Sequence, residues 1–199
     1  SFDDNSVITS FANAPKADLY GVEIETQKYF DLSAIGDEGF FATRRAVVIA
    51  NYTYTKSKIS VKAGDQVAVF NASSTDALDF FTDGSPLTGQ ADHLINLQFG
   101  LEDTERLSQQ TILLSYSTDR VTSRGASGQP DIKEKPGIQL DFVAREGFML
   151  GGKEAELKFE VRNLTNTKYQ EFQENGENKI FYNRYKQGIS ASIGVELNF

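Results

Sequence analysis

Cysteine, tryptophan and long apolar runs are absent from this chain of 199 residues, and histidine and methionine occur once each. Without cysteine the chain has neither a disulfide framework nor a thiolate metal site. No apolar run approaches the roughly 18 residues of a membrane-spanning helix, and the mean hydropathy of -0.39 is that of a soluble protein. A transmembrane β-barrel has an equally low mean, because its strands alternate lipid-facing and lumen-facing residues. The spacing of the apolar residues along the chain is therefore more informative than the mean hydropathy.

Positive charge is scarce as well, with 20 Lys and Arg against 28 Asp and Glu and a formal net charge of -8. Nucleic-acid partners require clustered Lys and Arg, so this balance argues against a phosphate-binding surface and excludes nucleic acid as a partner. The first ten residues, SFDDNSVITS, carry neither the basic region nor the apolar segment of a secretory signal. We therefore expect the chain to be processed or to be part of something longer.

What the sequence does contain is apolar-polar alternation with a period of two, and almost no run with helical spacing. In EAELKFEVRN every second residue from Ala155 to Val161 is apolar, and the residues between them are charged. The end of the chain continues the pattern, from Ile189 to Phe199. The predicted fold class is all-β, with about eight strands over residues 5–13, 17–30, 42–55, 91–101, 108–120, 138–148, 154–164 and 184–199.

The connections between these predicted strands alternate in length. Those over 102–107 and 149–153 are tight, whereas three others are long and polar: 56–90, 121–137 and 165–183. Short turns on one side and long loops on the other are typical of an outer-membrane barrel. With the carboxy terminus on the periplasmic side, every long loop is expected outside the cell, and the medium-length connection 31–41 is expected on the periplasmic side. Tyr182 and Tyr185 are then expected near the outer interface.

Several stretches resemble one known family, the carboxy-terminal part of TonB-dependent outer-membrane receptors. They are NAPKADLYGVEIE, GQADHLINLQFGLED, LSYSTDRV followed by GQPDIKEKPGIQLDFVARE, ELKFEVRNLTNTKYQEF and NRYKQGISASIGVELNF. The final SIGVELNF is similar to the assembly signal of outer-membrane proteins, through Ser192, Gly194, Leu197 and Phe199. The resemblance covers nearly the whole chain.

The resemblance implies a transmembrane antiparallel β-barrel in the bacterial outer membrane that imports a scarce nutrient. Such receptors have 22 strands and an amino-terminal plug that contacts TonB, whereas this chain has about eight predicted strands and no plug. The chain is therefore expected to form the carboxy-terminal wall and outer loops, with lipid around it. A companion chain is expected to carry the plug and the remaining strands, because bare sheet edges in a membrane leave backbone groups unpaired. The alternative is a complete eight-stranded outer-membrane barrel with a structural or adhesion role.

The resemblance also implies a small-molecule substrate, either siderophore-iron, cobalamin or an oligosaccharide, and no cofactor. The most functional-looking loop segment is DALDFFTDGSPLTGQ, in which Asp79, Phe80, Phe81 and Asp83 are candidate ligand-binding residues. Packing of the two phenylalanines in the loop's own core is the competing interpretation. The acids there do not match the EF-hand spacing, so no metal site is expected.

No catalytic signature such as GxSxG, HExxH or a Walker loop occurs, and no enzyme is predicted. An outer-membrane hydrolase would need a base, and His93 is the only histidine. By parity it shares the outward face of Ile95 and Leu97, where a satisfied interface residue is expected. Charged side chains on the opposite parity are expected to form a wet network on the lumen wall: Asp141, Arg145, Glu156, Lys158, Glu160 and Arg162.

Overall fold

A computed structural model describes residues 9–125 and 128–197, and these residues form two antiparallel β-sheets with two short 3-10 helices, Gly39–Phe41 and Ala77–Asp79. The all-β prediction is confirmed. No helix in the described ranges is long and apolar enough to cross a membrane. The strands are β1 (Lys16–Asp31), β2 (Arg44–Ser60), β3 (His93–Asp103), β4 (Ser108–Ser117), β5 (Arg120–Ser123), β6 (Ile132–Glu134), β7 (Gly137–Leu150), β8 (Lys153–Arg162), β9 (Lys168–Asn175), β10 (Asn178–Lys186) and β11 (Ser190–Leu197).

The larger sheet has seven strands in the order β1-β2-β3-β4-β7-β8-β11, so spatial neighbours follow one another along the chain. All its pairings are antiparallel and keep an unbroken register. The sheet is open among the described residues, because β1 pairs only with β2 and β11 only with β8. Its strands form where β-branched and aromatic residues alternate with polar ones, a pattern that suits a pleated sheet with two unlike faces.

Two insertions leave the seven-stranded sheet at the same end and together build the second sheet. One insertion lies between β4 and β7 and contains β5 and β6, and the other lies between β8 and β11 and contains β9 and β10. The order of this four-stranded sheet is β10-β9-β6-β5, so that β6 from one insertion pairs with β9 from the other. The connection after β2, over residues 61–92, leaves from that end as well. We call this end of the seven-stranded sheet the long-connection end, and the opposite one the short-connection end.

The predicted strand over residues 5–13 is wrong for the part of it that the structure describes. Residues 9–13 form no strand, and residues 5–8 lie outside the described residues. Phe11 is 90% exposed with no strand beside it, and a strand without a partner leaves its backbone groups unpaired. Pro15, which lacks a backbone N–H, comes just before β1. The other seven predicted strands each have a counterpart, β1 to β4, β7, β8 and β11.

The predicted last strand, 184–199, is in fact divided. Arg184, Tyr185 and Lys186 end β10 in the second sheet, and β11 begins only at Ser190. Gly188 between them has a positive φ of 76°, which a glycine adopts without steric cost and which turns the chain from one sheet to the other. Tyr182 and Tyr185, which the barrel prediction places near the outer interface, lie on β10 of the second sheet.

The predicted loops over 121–137 and 165–183 are also not loops, since they contain β5, β6, β9 and most of β10. Their strands pair mainly with each other rather than with their chain neighbours in the larger sheet. The third predicted loop, 56–90, is shorter than expected, because β2 continues to Ser60. In the connection 31–41 the described backbone forms the end of β1 and a 3-10 helix.

Asn163 joins the two sheets at the corner after β8. It is 4% exposed and has a positive φ of 57°. Its Nδ2 donates to the carbonyl oxygen of Gly188 at 2.8 Å, and its Oδ1 accepts from the backbone N–H of Thr167 at 2.9 Å. The Asn163 side chain therefore binds together both sides of the insertion that carries β9 and β10.

Replacement Asn163→Ala is expected to lower the free energy of unfolding by about 2 kcal/mol, because it leaves two backbone groups without their partner. Urea-induced unfolding of the purified chain measures this. The matched control is Asn166→Ala, since Asn166 also has a positive φ, 50°, but is exposed and makes no side-chain hydrogen bond among the described residues. Equal losses in the two variants would assign the effect to backbone strain and contradict the bridging role.

Candidate functional site

The seven-stranded sheet has one apolar and one polar face. In the observed register, residues of the same face pair with one another from strand to strand. A row of paired residues on the apolar face runs Val48, Phe99, Ile112, Phe142, Val161 and Ala191. A row on the polar face runs Arg45, Glu102, Gln109, Arg145, Lys158 and Gly194. Because successive side chains of a strand point to opposite faces, these rows define two chemically different surfaces.

Ion pairs join neighbouring strands on the polar face. Arg145 donates to Glu156 through both Nε, at 2.6 Å, and Nη2, at 2.8 Å. Arg45 pairs with Glu102 and also lies over the ring of Tyr29, 4.4 Å from its centroid. Bidentate arginine pairs hold both partners in a fixed geometry.

The charged residues predicted to share a wall network are among these contacts. Lys158 and Arg162 both pair with Glu160, and Arg162 approaches Asp141 at 3.9 Å. With the pair of Arg145 and Glu156, all six predicted residues take part in ion pairs on one face. The face therefore carries a laterally connected charged surface.

The apolar face stays uncovered in the described residues. Ile193 is 72% exposed, Val195 59% and Ile24 57%. Contacts between strands run almost entirely between hydrogen-bonded neighbours within each sheet, so the second sheet does not pack against this face. Residues of this type are usually buried, and a continuous exposed surface of them marks a contact with another apolar phase or partner.

Aromatic residues border the apolar face at the long-connection end. Tyr52 Oη lies 2.8 Å from His93 Nδ1, and the two rings stack with centroids 6.0 Å apart. The Tyr54 ring lies 5.2 Å from that of His93. His93 thus shares the face of Ile95 and Leu97 and has a tyrosine hydroxyl as its hydrogen-bond partner.

A buried polar cluster borders the same face at the short-connection end. Arg44 Nη2 donates to Ser108 Oγ at 3.0 Å, and Ser108 Oγ donates to Glu146 at 2.7 Å. Gln110 Nε2 donates to the same carboxylate at 2.6 Å, and the Phe40 ring covers the guanidinium at 4.4 Å. On β2, β3 and β4 the apolar face therefore ends in polar or amphipathic side chains at both ends, whereas on β7 the apolar residues Phe148 and Leu150 lie beyond Glu146.

The candidate ligand-binding residues lie in the connection between β2 and β3, which has its own small core. Phe81 is 8% exposed and packs in a cluster with Ile59, Val61, Val67 and Ala77, and Phe80 lies against that cluster. These contacts are the ones that the competing interpretation, packing of the loop's own core, requires.

The acids of this connection hold its backbone. Asp83 accepts from the N–H of Val61 at 3.1 Å, and Asp79 accepts from Ser74 Oγ at 2.5 Å. Among the residues that the structure describes, no group of three or more His, Asp or Glu could hold a metal ion. Ligand binding by Asp79, Phe80, Phe81 and Asp83 stays a prediction, with the four residues brought together on an ordered loop.

The residues of the predicted assembly signal are on β11 as far as the structure describes them. Ser192 pairs with Glu160 and Gly194 with Lys158 on the polar face, and Leu197 pairs with Ala155 on the apolar face. Phe199 lies outside the described residues. A Cβ built on Gly194 meets no atom within 4 Å, so packing inside this chain gives no reason for glycine at that position.

A depression of about 170 Å³ lies on the polar face at the long-connection end. Neutral polar side chains supply most of its hydrogen-bonding groups: Asn96, Ser115, Ser117 and Gln139. Sequence reasoning did not single out these residues, because each one is an ordinary polar member of an alternating strand. Their convergence requires the register of β3, β4 and β7.

Replacement Phe81→Ala is expected to destabilise the connection over 61–92 by about 3 kcal/mol, since it empties the centre of its small core. Amide hydrogen exchange across 61–92 measures the change as faster exchange confined to that segment. Leu78→Ala is the control, because Leu78 lies in the same connection but is 47% exposed. Unchanged exchange in the Phe81 variant would contradict the packing role and favour a surface platform for ligand.

No family model matches the chain, and no curated protein or solved structure is significantly similar to it.

Proposed function

We propose that the seven-stranded sheet is part of the wall of a β-barrel in the bacterial outer membrane. Its apolar face contacts lipid and its polar face lines the lumen. The observation that carries the proposal is the uncovered apolar face, continuous over seven strands and backed by an ion-paired polar face. In a water-soluble sheet such a face is covered by a second layer, whereas alternation of lipid-facing and lumen-facing residues is the rule in membrane barrels.

Strand length and the two borders of the apolar face support the same proposal. Six of the seven strands have between 10 and 17 residues, and a tilted transmembrane strand needs about 9–11. Tyr52, Tyr54 and His93 occupy one border, where amphipathic rings favour the membrane interface. Arg44 and Ser108, where β2 and β4 begin, occupy the other border on that part of the sheet.

The two free edges of the sheet require further strands as partners in a membrane. A lipid-exposed strand edge leaves N–H and C=O groups unpaired in a medium without water, which costs several kcal/mol for each group. Strands outside the described residues therefore pair with β1 and β11 and complete the ring. We propose that this ring is the barrel of a TonB-dependent receptor, with the plug and the remaining strands supplied by a companion chain or by another part of the same protein.

In that receptor this chain supplies wall and outer loops for active import of a scarce nutrient, either siderophore-iron, cobalamin or an oligosaccharide. The long connections lie outside the cell and take part in capturing the substrate. TonB acts on the plug, so the coupling to the energised inner membrane involves residues outside this chain. The neutral polar depression beside Asn96 and Gln139 lies where the lumen opens outward and offers hydrogen bonds to a hydroxylated or amide-bearing substrate.

A complete eight-stranded barrel with a structural or adhesion role is the second candidate. It would need an eighth strand between β1 and β11, and residues 9–13 do not provide one. This observation favours the larger ring.

Replacement Ile193→Arg tests the lipid contact. In lipid it is expected to lower the free energy of unfolding of the vesicle-folded protein by about 2–4 kcal/mol, because the charge sits near the middle of β11, a proposed transmembrane strand. Ile180→Arg is the matched control, since Ile180 is a strand residue of the second sheet with a similar exposure, 67% against 72%. Urea titration of vesicle-folded protein measures both. Equal effects of the two variants would contradict a lipid-facing sheet.

Cysteine cross-linking distinguishes the larger ring from the small barrel, and the natural absence of cysteine makes it clean. Single cysteines on β1 (Gln27→Cys and the positions beside it) are combined with single cysteines on β11 (Ser192→Cys and its neighbours), and the protein is oxidised in its native membrane. No β1–β11 disulfide is expected, because each edge pairs with another strand. Efficient formation of such a disulfide would establish the small barrel and remove the receptor proposal.

Energy-dependent import is expected for the whole receptor. Uptake of its substrate by cells should fall to background after addition of a protonophore or deletion of TonB, while binding of the substrate to the cell surface remains. Uptake that continues unchanged in both conditions would contradict the mechanism without touching the barrel architecture.

A further inference from the structure

The four-stranded sheet segregates charge between its two faces. One side, which we call the basic face, carries Lys133, Lys168, Lys179, Arg184 and Lys186. Their positions follow from the register, in which Lys168 pairs with Lys186 and Gln170 with Arg184, and both Lys133 and Phe181 pair with Phe172. The β-bulge between Phe181 and Asn183 keeps Arg184 on this side, where its guanidinium lies 4.9 Å from the centre of the Phe181 ring.

The carboxylates of this sheet lie mainly on the opposite side and have partners there. Glu134 accepts from Arg120 Nε at 2.8 Å. Glu171 accepts from Thr122 Oγ1 at 2.6 Å and from Asn183 Nδ2 at 2.8 Å. These carboxylates therefore have their partners on their own side of the sheet and are not directed toward the lysines of the basic face.

Of the five cations on the basic face, Lys179 is neutralised and the other four make no ion pair with a described residue. Lys179 pairs with Glu174 at 3.4 Å and lies over the Phe172 ring at 3.8 Å. Lys168, Arg184 and Lys186 make no ion pair with any described residue, although the chain as a whole has eight more acidic than basic side chains. Lys168 and Lys186 are directly opposite each other on adjacent strands, and like charges in that relation destabilise a sheet.

The same three cations line a depression of about 290 Å³, together with Tyr185. Lys168 is half-buried there, while Arg184 and Lys186 are exposed. One guanidinium and two ammonium groups carry eleven N–H donors in this arrangement, five on Arg184 and three on each lysine. A volume of this size accommodates a small ligand with more than one acidic group.

We propose that Lys168, Arg184 and Lys186 form a binding site for a small polyanion, a ligand that presents two or more adjacent phosphate or carboxylate groups. Such a ligand neutralises the unfavourable lysine pair and accepts charge-assisted hydrogen bonds from all three side chains. Net negative charge elsewhere on the chain weakens long-range attraction of anions, so recognition depends on the close, partly desolvated contacts. The site is a property of the second sheet and does not depend on the proposed membrane function.

Isothermal titration of the purified full chain with pyrophosphate, and separately with citrate, tests the site. Saturable one-to-one binding is expected for at least one of the two probes. The double variant Lys168→Gln/Lys186→Gln is expected to weaken it on the order of tenfold or more, since two charged hydrogen-bond donors are lost. The control is Lys133→Gln/Lys179→Gln, which removes the same charge from the same face outside the depression and is expected to change affinity by about twofold or less.

Stability separates loss of the site from loss of the fold. Removing a like-charge cross-strand pair is expected to leave the Lys168→Gln/Lys186→Gln variant at least as stable to urea as the natural chain. Absence of saturable binding to both probes would overturn the proposal. An equal weakening by the control variant would also overturn it, because the attraction would then belong to general charge.

The anionic groups have two possible sources, a free solute or the phosphates of an outer-leaflet lipid, and a second arm distinguishes them. Phosphatidylcholine vesicles with and without lipid A are titrated with the protein in the presence of pyrophosphate. If the lipid is the source, lipid A vesicles bind, pyrophosphate competes, and the Lys168→Gln/Lys186→Gln variant loses the binding. If lipid A does not compete with pyrophosphate, the ligand is a free solute. Both results support the site, whereas lipid A binding that pyrophosphate displaces and that the variant retains would overturn it, because the competing anion would then bind away from Lys168 and Lys186.

Discussion

The structure depends on an antiparallel register that is kept without a slip through seven strands. A shift of a single residue at any pairing would move every side chain beyond it to the other face. The apolar row through Phe142, Val161 and Ala191 would then meet the charged row through Arg145 and Lys158. Two unlike faces therefore specify the pairing of each strand, and the ion pair of Arg145 with Glu156 adds a bidentate contact that exists only in the correct register.

This dependence explains which parts of the fold could be predicted from the sequence. Alternation is a local property, so the strand that contains Phe159 and the face that each of its residues occupies follow from ten consecutive letters. The four-stranded sheet is different, because its central pairing joins Lys133 to Phe172 across the whole of β7 and β8. The strands concerned are short, with only three residues in β6, and their local sequence does not distinguish them from a polar loop. Gly188, which divides the predicted last strand, is equally ambiguous without the Asn163 side chain that binds its carbonyl group.

The candidate sites show the same limit. Phe80, Phe81 and the acids beside them attract notice as a compact motif, yet what the structure explains about them is the order of their own loop. Lys168 falls in a segment predicted to be a loop, and Lys186 falls on the polar side of the predicted last strand, so neither draws attention alone. The net charge of the whole chain also gives no indication of a local cluster of cations. A chain with a net charge of -8 argues against phosphate binding as a whole, whereas the register of β9 and β10 gathers cations on one side of a small sheet.

The pairing of β6 with β9 has a consequence for the order in which the chain folds. Those strands belong to different insertions, and the β7–β8 hairpin lies between them in the sequence. Closing a loop of that length is unfavourable until the hairpin has brought both insertions to one end of the sheet, after which the two segments are close neighbours. The pairing of β6 with β9 is therefore expected to form late, after the β7–β8 part of the seven-stranded sheet. A destabilising substitution in the β7–β8 hairpin would therefore destabilise the four-stranded sheet first, at residues that do not contact the substituted one.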